Sequence, residues 1–174
     1  MANIVRKGYG QLELNQVAFR RDGRVEAQAH YDVSKEGQVY ENGMVVIVDK
    51  AANVAKVGAI AAGNLYGIVY TSEELYDSRK PGLKNFGVVV EDGEAKGPEG
   101  YNVCPRIGYL SVGDVFTTNT VVKTDDFTAG KAVYVNATGE WTVTAKEQGP
   151  VGVVADVTTM PDGQPAVKIA ITKA

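Results

Sequence analysis

The 174-residue chain is short of the residues that carry most site chemistry, with one cysteine, Cys104, and one histidine, His30. A single cysteine cannot close an internal disulfide, which predicts a reducing compartment. One Cys and one His cannot hold a structural zinc ion without several carboxylates. Leucine is scarce at six residues, and no apolar run approaches the ~18 residues of a membrane-spanning helix. The opening Met1-Ala2-Asn3-Ile4-Val5-Arg6-Lys7-Gly8 lacks the apolar core of a secretory signal. Asn136-Ala137-Thr138 has the form of a glycosylation sequon, and without a secretion route it reads as a turn.

What is present points to strands. There are 27 Val, 7 Ile, 12 Thr, 9 Tyr and 20 Gly. Branched side chains lose rotamer freedom in helices and pack well on a pleated surface. The glycines supply turns. With 44% hydrophobic and 22% charged residues, the composition is that of a globular chain and excludes a disordered or collagen-like one.

Residues 1–35 read as an extended N-terminal arm with strand-like alternation at 9–17 and 25–30. Residues 36–174 read as a compact antiparallel β-barrel body. Its turn signals are Asn42-Gly43, Asp92-Gly93, Gly113-Asp114 and Asp162-Gly163. Buried strands are predicted at 44–48, 65–70, 86–90, 132–135, 150–155 and 166–171. A helical turn is expected at 71–76 under a Thr71/Glu74 capping box.

The body contains a repeat. Gly43-x-Val45-Val46-Ile47-Val48-Asp49 aligns with Gly130-x-Ala132-Val133-Tyr134-Val135-Asn136 at an offset of 87, which also matches Val54 with Trp141. After a two-residue deletion, Leu65-Tyr66-Gly67-Ile68-Val69 aligns with Pro150-Val151-Gly152-Val153-Val154. The half-motifs span about 39–92 and 126–174, joined by 93–125. Each is too small to cover both faces of its own sheet, so the two are expected to share one core containing Val46, Val48, Ile68, Val133, Val135, Trp141 and Val153.

No catalytic, cofactor or metal constellation emerges. Nothing in the spacing brings Cys104 to His30, as a nucleophile pair requires. The neighbours Glu73-Glu74, Glu91-Asp92 and Asp125-Asp126 lack the spacing of a calcium loop and point to opposite faces if on strands. No Gly-rich loop leads into a helix. The chain therefore reads as non-catalytic.

Charge is unevenly placed. Residues 1–24 carry Arg6, Lys7, Arg20, Arg21 and Arg24 against Glu13 and Asp22, a net of +3, while the remainder carries −6. An arm of that sign suits an acidic partner surface. These five residues are the candidate partner-binding set, and a body that folds without residues 1–24 is expected. Five charges over 24 positions are too thin for nucleic acid, whose phosphates the acidic body would repel.

The sequence of strands and glycines from Asn42-Gly43 through Val112-Gly113-Asp114-Val115-Phe116, Gly130-Lys131-Ala132-Val133-Tyr134-Val135 and Trp141-Thr142-Val143 to Val167-Lys168-Ile169 resembles the capsid decoration (cement) proteins of tailed bacteriophages. The resemblance covers roughly residues 38–172. It implies a compact β-barrel or β-tulip-like fold and a virion structural protein, made in the host bacterial cytoplasm, that binds the outer capsid shell, usually as a homotrimer, without cofactor, nucleic acid or membrane. Two alternatives stand beside it. One is a tail-tube, neck or baseplate β-barrel subunit. The other is a carbohydrate-binding or adhesin module, in which Trp141 or the tyrosines would stack on sugars.

Overall fold

The computed structural model describes residues 4–61, 63–71, 87–97, 104–123 and 125–173. The chain is 41% strand and 3% helix. The first strands are β1 (Leu12–Gln16), β2 (Val25–Glu26), β3 (His30–Tyr31), β4 (Val39–Glu41), β5 (Val45–Asp49), β6 (Val54–Lys56) and β7 (Tyr66–Val69), with one short helix, α1 (Ala18–Asp22), after β1. There follow β8 (Gly87–Glu91), β9 (Glu94–Lys96), β10 (Ile107–Gly108), β11 (Val115–Thr118), β12 (Ala132–Val135), β13 (Trp141–Thr142), β14 (Gly152–Thr159) and β15 (Pro165–Ile171). Residues 72–76 of the helical turn expected at 71–76, and the start of the strand expected from residue 86, lie outside the described residues.

Among the described residues the strands form three sheets, and these do not close into a barrel. Two are six-stranded, in the orders β2-β10-β7-β5-β6-β3 and β1-β11-β15-β14-β12-β13, and the third is β4-β8-β9. Pairing is antiparallel except that β3 runs parallel to β6.

The repeat in the sequence is a repeat of strand pairing. Val45↔Ile68 and Val46↔Gly67 in one sheet correspond to Ala132↔Val153 and Val133↔Gly152 in the other. The next strands follow suit, with Gly108↔Ile68 matched by Ala170↔Val153. Beyond them, Val25↔Gly108 is matched by Val115↔Ala170. Even the parallel contact recurs, as His30↔Val54 in one unit and the isolated bridge Val121↔Trp141 in the other. The duplicated unit is thus larger than the half-motifs, because β2, β10 and β11 belong to it. One register slips: β5 opposes Val48 to Ala55, whereas β12 opposes Val135 to Trp141.

The glycines explain how these pairs close. A Cβ on Gly67 would stand 2.5 Å from the Gly108 carbonyl oxygen, and one on Gly152 2.4 Å from that of Ala170, so only hydrogen fits at either site. Gly43 and Gly130 hold φ near 87° and 86°, and each donates its N–H across to Val69 or Val154 at 2.9 and 2.8 Å.

Two findings correct the sequence reading. First, residues 4–35 are built into the body and form no extended arm. β1 pairs with β11, Ile4 and Phe19 are fully buried in the main apolar cluster, and Leu12 and Leu14 pack on it. Removing residues 1–24 would strip those side chains from the core. The strand expected across 25–30 stops at Glu26, whose Oε1 accepts the N–H groups of Ala27, Gln28 and Ala29 and bends the chain. Second, the core is two clusters. Ile68, Val133, Val135 and Trp141 share one. Val46 and Val48 lie in another with Tyr31, Tyr40, Val88 and Ile107, on the face turned to the third sheet's residues. Val153 is only half-buried, and its neighbour Val154 takes the inward position.

Candidate functional site

The five candidate basic residues fall into three separate settings. Arg6 is committed internally. Its guanidinium pairs with the buried Glu41 carboxylate and reaches Thr120 Oγ1 at 3.3 Å, while Glu41 Oε2 accepts the Gly10 N–H at 2.6 Å. Desolvated carboxylates need such partners, so this contact clasps the N-terminal segment to β4. Lys7 is exposed near the β14–β15 turn, where its backbone N–H donates to Gln164 Oε1 at 2.6 Å.

Arg20, Arg21 and Arg24 lie on or just after α1. No side chain of Val17 caps this helix. Asp114, itself buried, does so from a distance: its Oδ1 accepts the Ala18 N–H at 2.7 Å and its Oδ2 the Ser111 N–H at 2.8 Å. Phe19 anchors the other side, its ring 5.1 Å from that of Tyr70. With the inner face so fixed, Arg20 and Arg21 are exposed. Arg21 Nε donates to Asp22 Oδ1 at 2.7 Å, and that hydrogen bond holds the Asp22 carboxyl below its ordinary range. Arg24 Nη1 donates to Ser111 Oγ. Beside them Val112 is 67% exposed, and a shallow groove of about 210 Å³ runs between Gln16, Arg21 and Val112. The result is a preformed basic surface around one exposed valine.

The contact that spacing gave no reason to expect is present. Cys104 Sγ stands 3.5 Å from His30 Nδ1, across 74 residues of sequence, and both side chains are exposed. β3 lies at one edge of its sheet and β10 next to the other, so no local signal in the sequence marks the pair. Among the described residues, no group of three or more Cys, His, Asp and Glu side chains converges as a metal site would require.

A cleft of about 580 Å³ opens between the connections that precede β7 and β14, which are counterparts in the repeat. It is lined by Ile60, Asn64, Tyr66, Gln148 and Lys173 among others. Burial pushes the Tyr66 phenol up from its ordinary value. Trp141 is no part of any such surface. It is fully buried and its Nε1–H donates to the Gly43 carbonyl at 2.9 Å, tying one repeat unit to the other. Asn136 forms the turn expected of it, with its Oδ1 accepting the N–H groups of Thr138 and Glu140. Asp125 is a structural acceptor for Val143 N–H at 2.8 Å and for the hydroxyls of Thr142 and Thr144.

Fold and surfaces together define a duplicated antiparallel β protein with an exposed basic patch. No family model matches the chain, nor does any curated protein or solved structure at the significance required.

Proposed function

We propose that this protein is a non-catalytic virion component that binds the outside of a tailed-phage capsid shell and stabilises it, as a homo-oligomer for which a trimer is the first expectation. The observation that carries the reading is the placement of Arg20, Arg21 and Arg24. They form a basic surface on a chain of net charge −3, held rigid by the Phe19 anchor and the Asp114 cap. A preordered patch loses little conformational entropy on docking to an acidic shell. Attachment through a flexible arm is replaced by attachment through this surface, and Arg6 leaves the partner-binding set.

The test incubates the protein with undecorated tailed-phage heads and images them by cryo-electron microscopy. The reading expects ordered, saturable density that weakens with salt, since exposed charges are screened beyond ~10 Å at 0.1 M. Arg20→Glu with Arg21→Glu should abolish it, and Lys7→Glu should not. Absence of ordered density on the heads overturns the reading. Rings or tubes formed by the isolated protein would point to a tail component. The Tyr66 cleft favours a second reading as a carbohydrate-binding module, for which saturable binding on a glycan array, lost in Tyr66→Ala, is the check.

A further inference from the structure

We propose that Cys104 and His30 form a thiol–imidazole pair that makes Cys104 a site of reversible disulfide exchange with low-molecular-weight disulfides of the glutathione class. The proposal is independent of the capsid reading. Its starting point is that the only cysteine and the only histidine of the chain meet at 3.5 Å on the surface.

Both partners are held by backbone. The His30 N–H donates to the Asn53 carbonyl at 3.0 Å, and the parallel pairing of β3 with β6 sets the residue opposite Val54. Two residues after Cys104, the Arg106 N–H donates to Thr71 Oγ1 at 3.2 Å, and the Arg106 carbonyl accepts the Tyr70 N–H at 2.9 Å. A second polar group lies in the same neighbourhood. Tyr31, next to His30, is buried, and its hydroxyl interacts with Thr71. That phenol is pushed well up by burial, and the Cys104 charge adds to the shift. The Tyr31 phenol therefore stays protonated. The other ionisable groups that neighbouring elements carry are Asp32 beyond His30, Arg106 beyond Cys104 and Lys56 on β6.

The chemistry balances without a further oxidant. With its proton on Nε2, His30 accepts the Cys104 S–H proton at Nδ1. The thiolate attacks one sulfur of the disulfide, a new S–S bond forms to Cys104, and the old S–S bond breaks. The departing thiolate takes the proton from the imidazolium. Cys104 and one half of the reagent end as a mixed disulfide, and the other half leaves as free thiol. Among the described residues no carboxylate hydrogen-bonds the far nitrogen of His30, so the third member that orients a hydrolytic His is missing. The pair suits one stoichiometric exchange rather than turnover.

The test measures the second-order rate of alkylation by iodoacetamide between pH 5.5 and 9.5 for wild type, His30→Gln, His30→Asn and Cys104→Ser. Intact mass is then recorded after exposure to glutathione disulfide. An ordinary thiol near pKa 8.5 is only about 1% ionised at pH 6.5. Wild type is expected to react at least about 10-fold faster than both His30 variants at pH 6.5 and comparably at pH 9.5, because the thiolate and not the thiol is the nucleophile. One glutathione should add to wild type and none to Cys104→Ser. His30 is exposed, so both variants should melt as wild type does, and using two guards against a local folding defect. Superimposable pH profiles for wild type and the His30 variants overturn the proposal, as does failure of wild type to gain the mixed disulfide.

Discussion

The two repeat units share their strand pairing but not their surroundings. In the first, β5 and β7 are buried on both faces. Val45 and Ile68 belong to the main cluster, while Val46, Val48 and Val69 belong to the cluster shared with the third sheet. In the second, Val133, Val135 and Val154 face the main cluster. Their alternates Ala132, Tyr134, Val153 and Ala170 are only half-buried. The β-strand period assigns side chains to faces, and what covers each face decides which residues occupy it. Hence Val45-Val46-Ile47-Val48 is a continuous apolar run, whereas Ala132-Val133-Tyr134-Val135 alternates.

The comparison breaks most visibly under charge. Val46→Asp places an unpaired carboxylate in a sealed cluster and should cost about 4 kcal/mol or more. At roughly 2–4 °C per kcal/mol for a chain of this size, the melting temperature should fall by about 8 °C or more, if the protein folds at all. Ala132→Asp, on the open face of the second unit, should move it by no more than about 2 °C. Equal losses in a thermal melt would mean that both faces of the second sheet are covered.

Phe19→Ala should lie close behind, at about 3–5 kcal/mol, because it empties a fully buried site that also supports α1. A melt within about 1 °C of wild type would return residues 4–24 to the status of a detachable arm.

The glycine pair sharpens the comparison where the units agree. Gly67→Ala and Gly152→Ala each force a methyl group against a carbonyl oxygen at 2.5 and 2.4 Å. Overpacking of this kind costs about 1–3 kcal/mol. Both losses in denaturant unfolding should fall in that range. A large loss at one position and none at the other would show that the shared register does not carry equivalent packing.

Much of this was legible in the residues. The offset of 87 located β5 and β12, and the recurring glycine located β7 and β14, because identical pairing demands hydrogen at the same place. The continuous run at 45–48 already carried the sign of a strand covered on both sides. Local pattern could not say what the cover was. β4 (Val39–Glu41) lies far in sequence from the adjacent strands β8 and β9, and alternation specifies a strand's faces without naming its neighbours. The same limit explains the arm. The alternation at Leu12 and Leu14 correctly marked a strand, yet β11, its partner, lies about a hundred residues on. The buried Phe19 in a five-residue helix left no periodic trace. Cys104 and His30 were invisible as a pair for that reason too.

The smallest expected effect lies at the turns that close β5 and β12. Asp49 Oδ1 accepts the N–H groups of Ala51 and Ala52, as Asn136 Oδ1 accepts those of Thr138 and Glu140. Only the first can titrate. Its backbone hydrogen bonds, that of Ala52 foremost, together with Lys56, hold the Asp49 carboxyl below its ordinary value of 3.8. A carboxyl whose folded value is depressed contributes stability that is fully present above the unfolded value and is lost as pH falls through the folded one. Asp49→Asn keeps the acceptor oxygen and gives up the charge. The wild-type advantage in melting temperature over this variant should therefore be small at pH 7 and shrink below about pH 4. Asn136→Asp should show the same trend with pH, from an added repulsion instead of a lost attraction. The Asn136 amide stands 3.2 Å from Glu140 Oε2, and a carboxylate there repels at neutral pH, so the variant should melt below wild type at pH 7 and recover in acid. A difference from wild type that stays flat between about pH 7 and pH 3 for either variant would show that the charge placed at that turn, beside Lys56 or Glu140, does not contribute to stability.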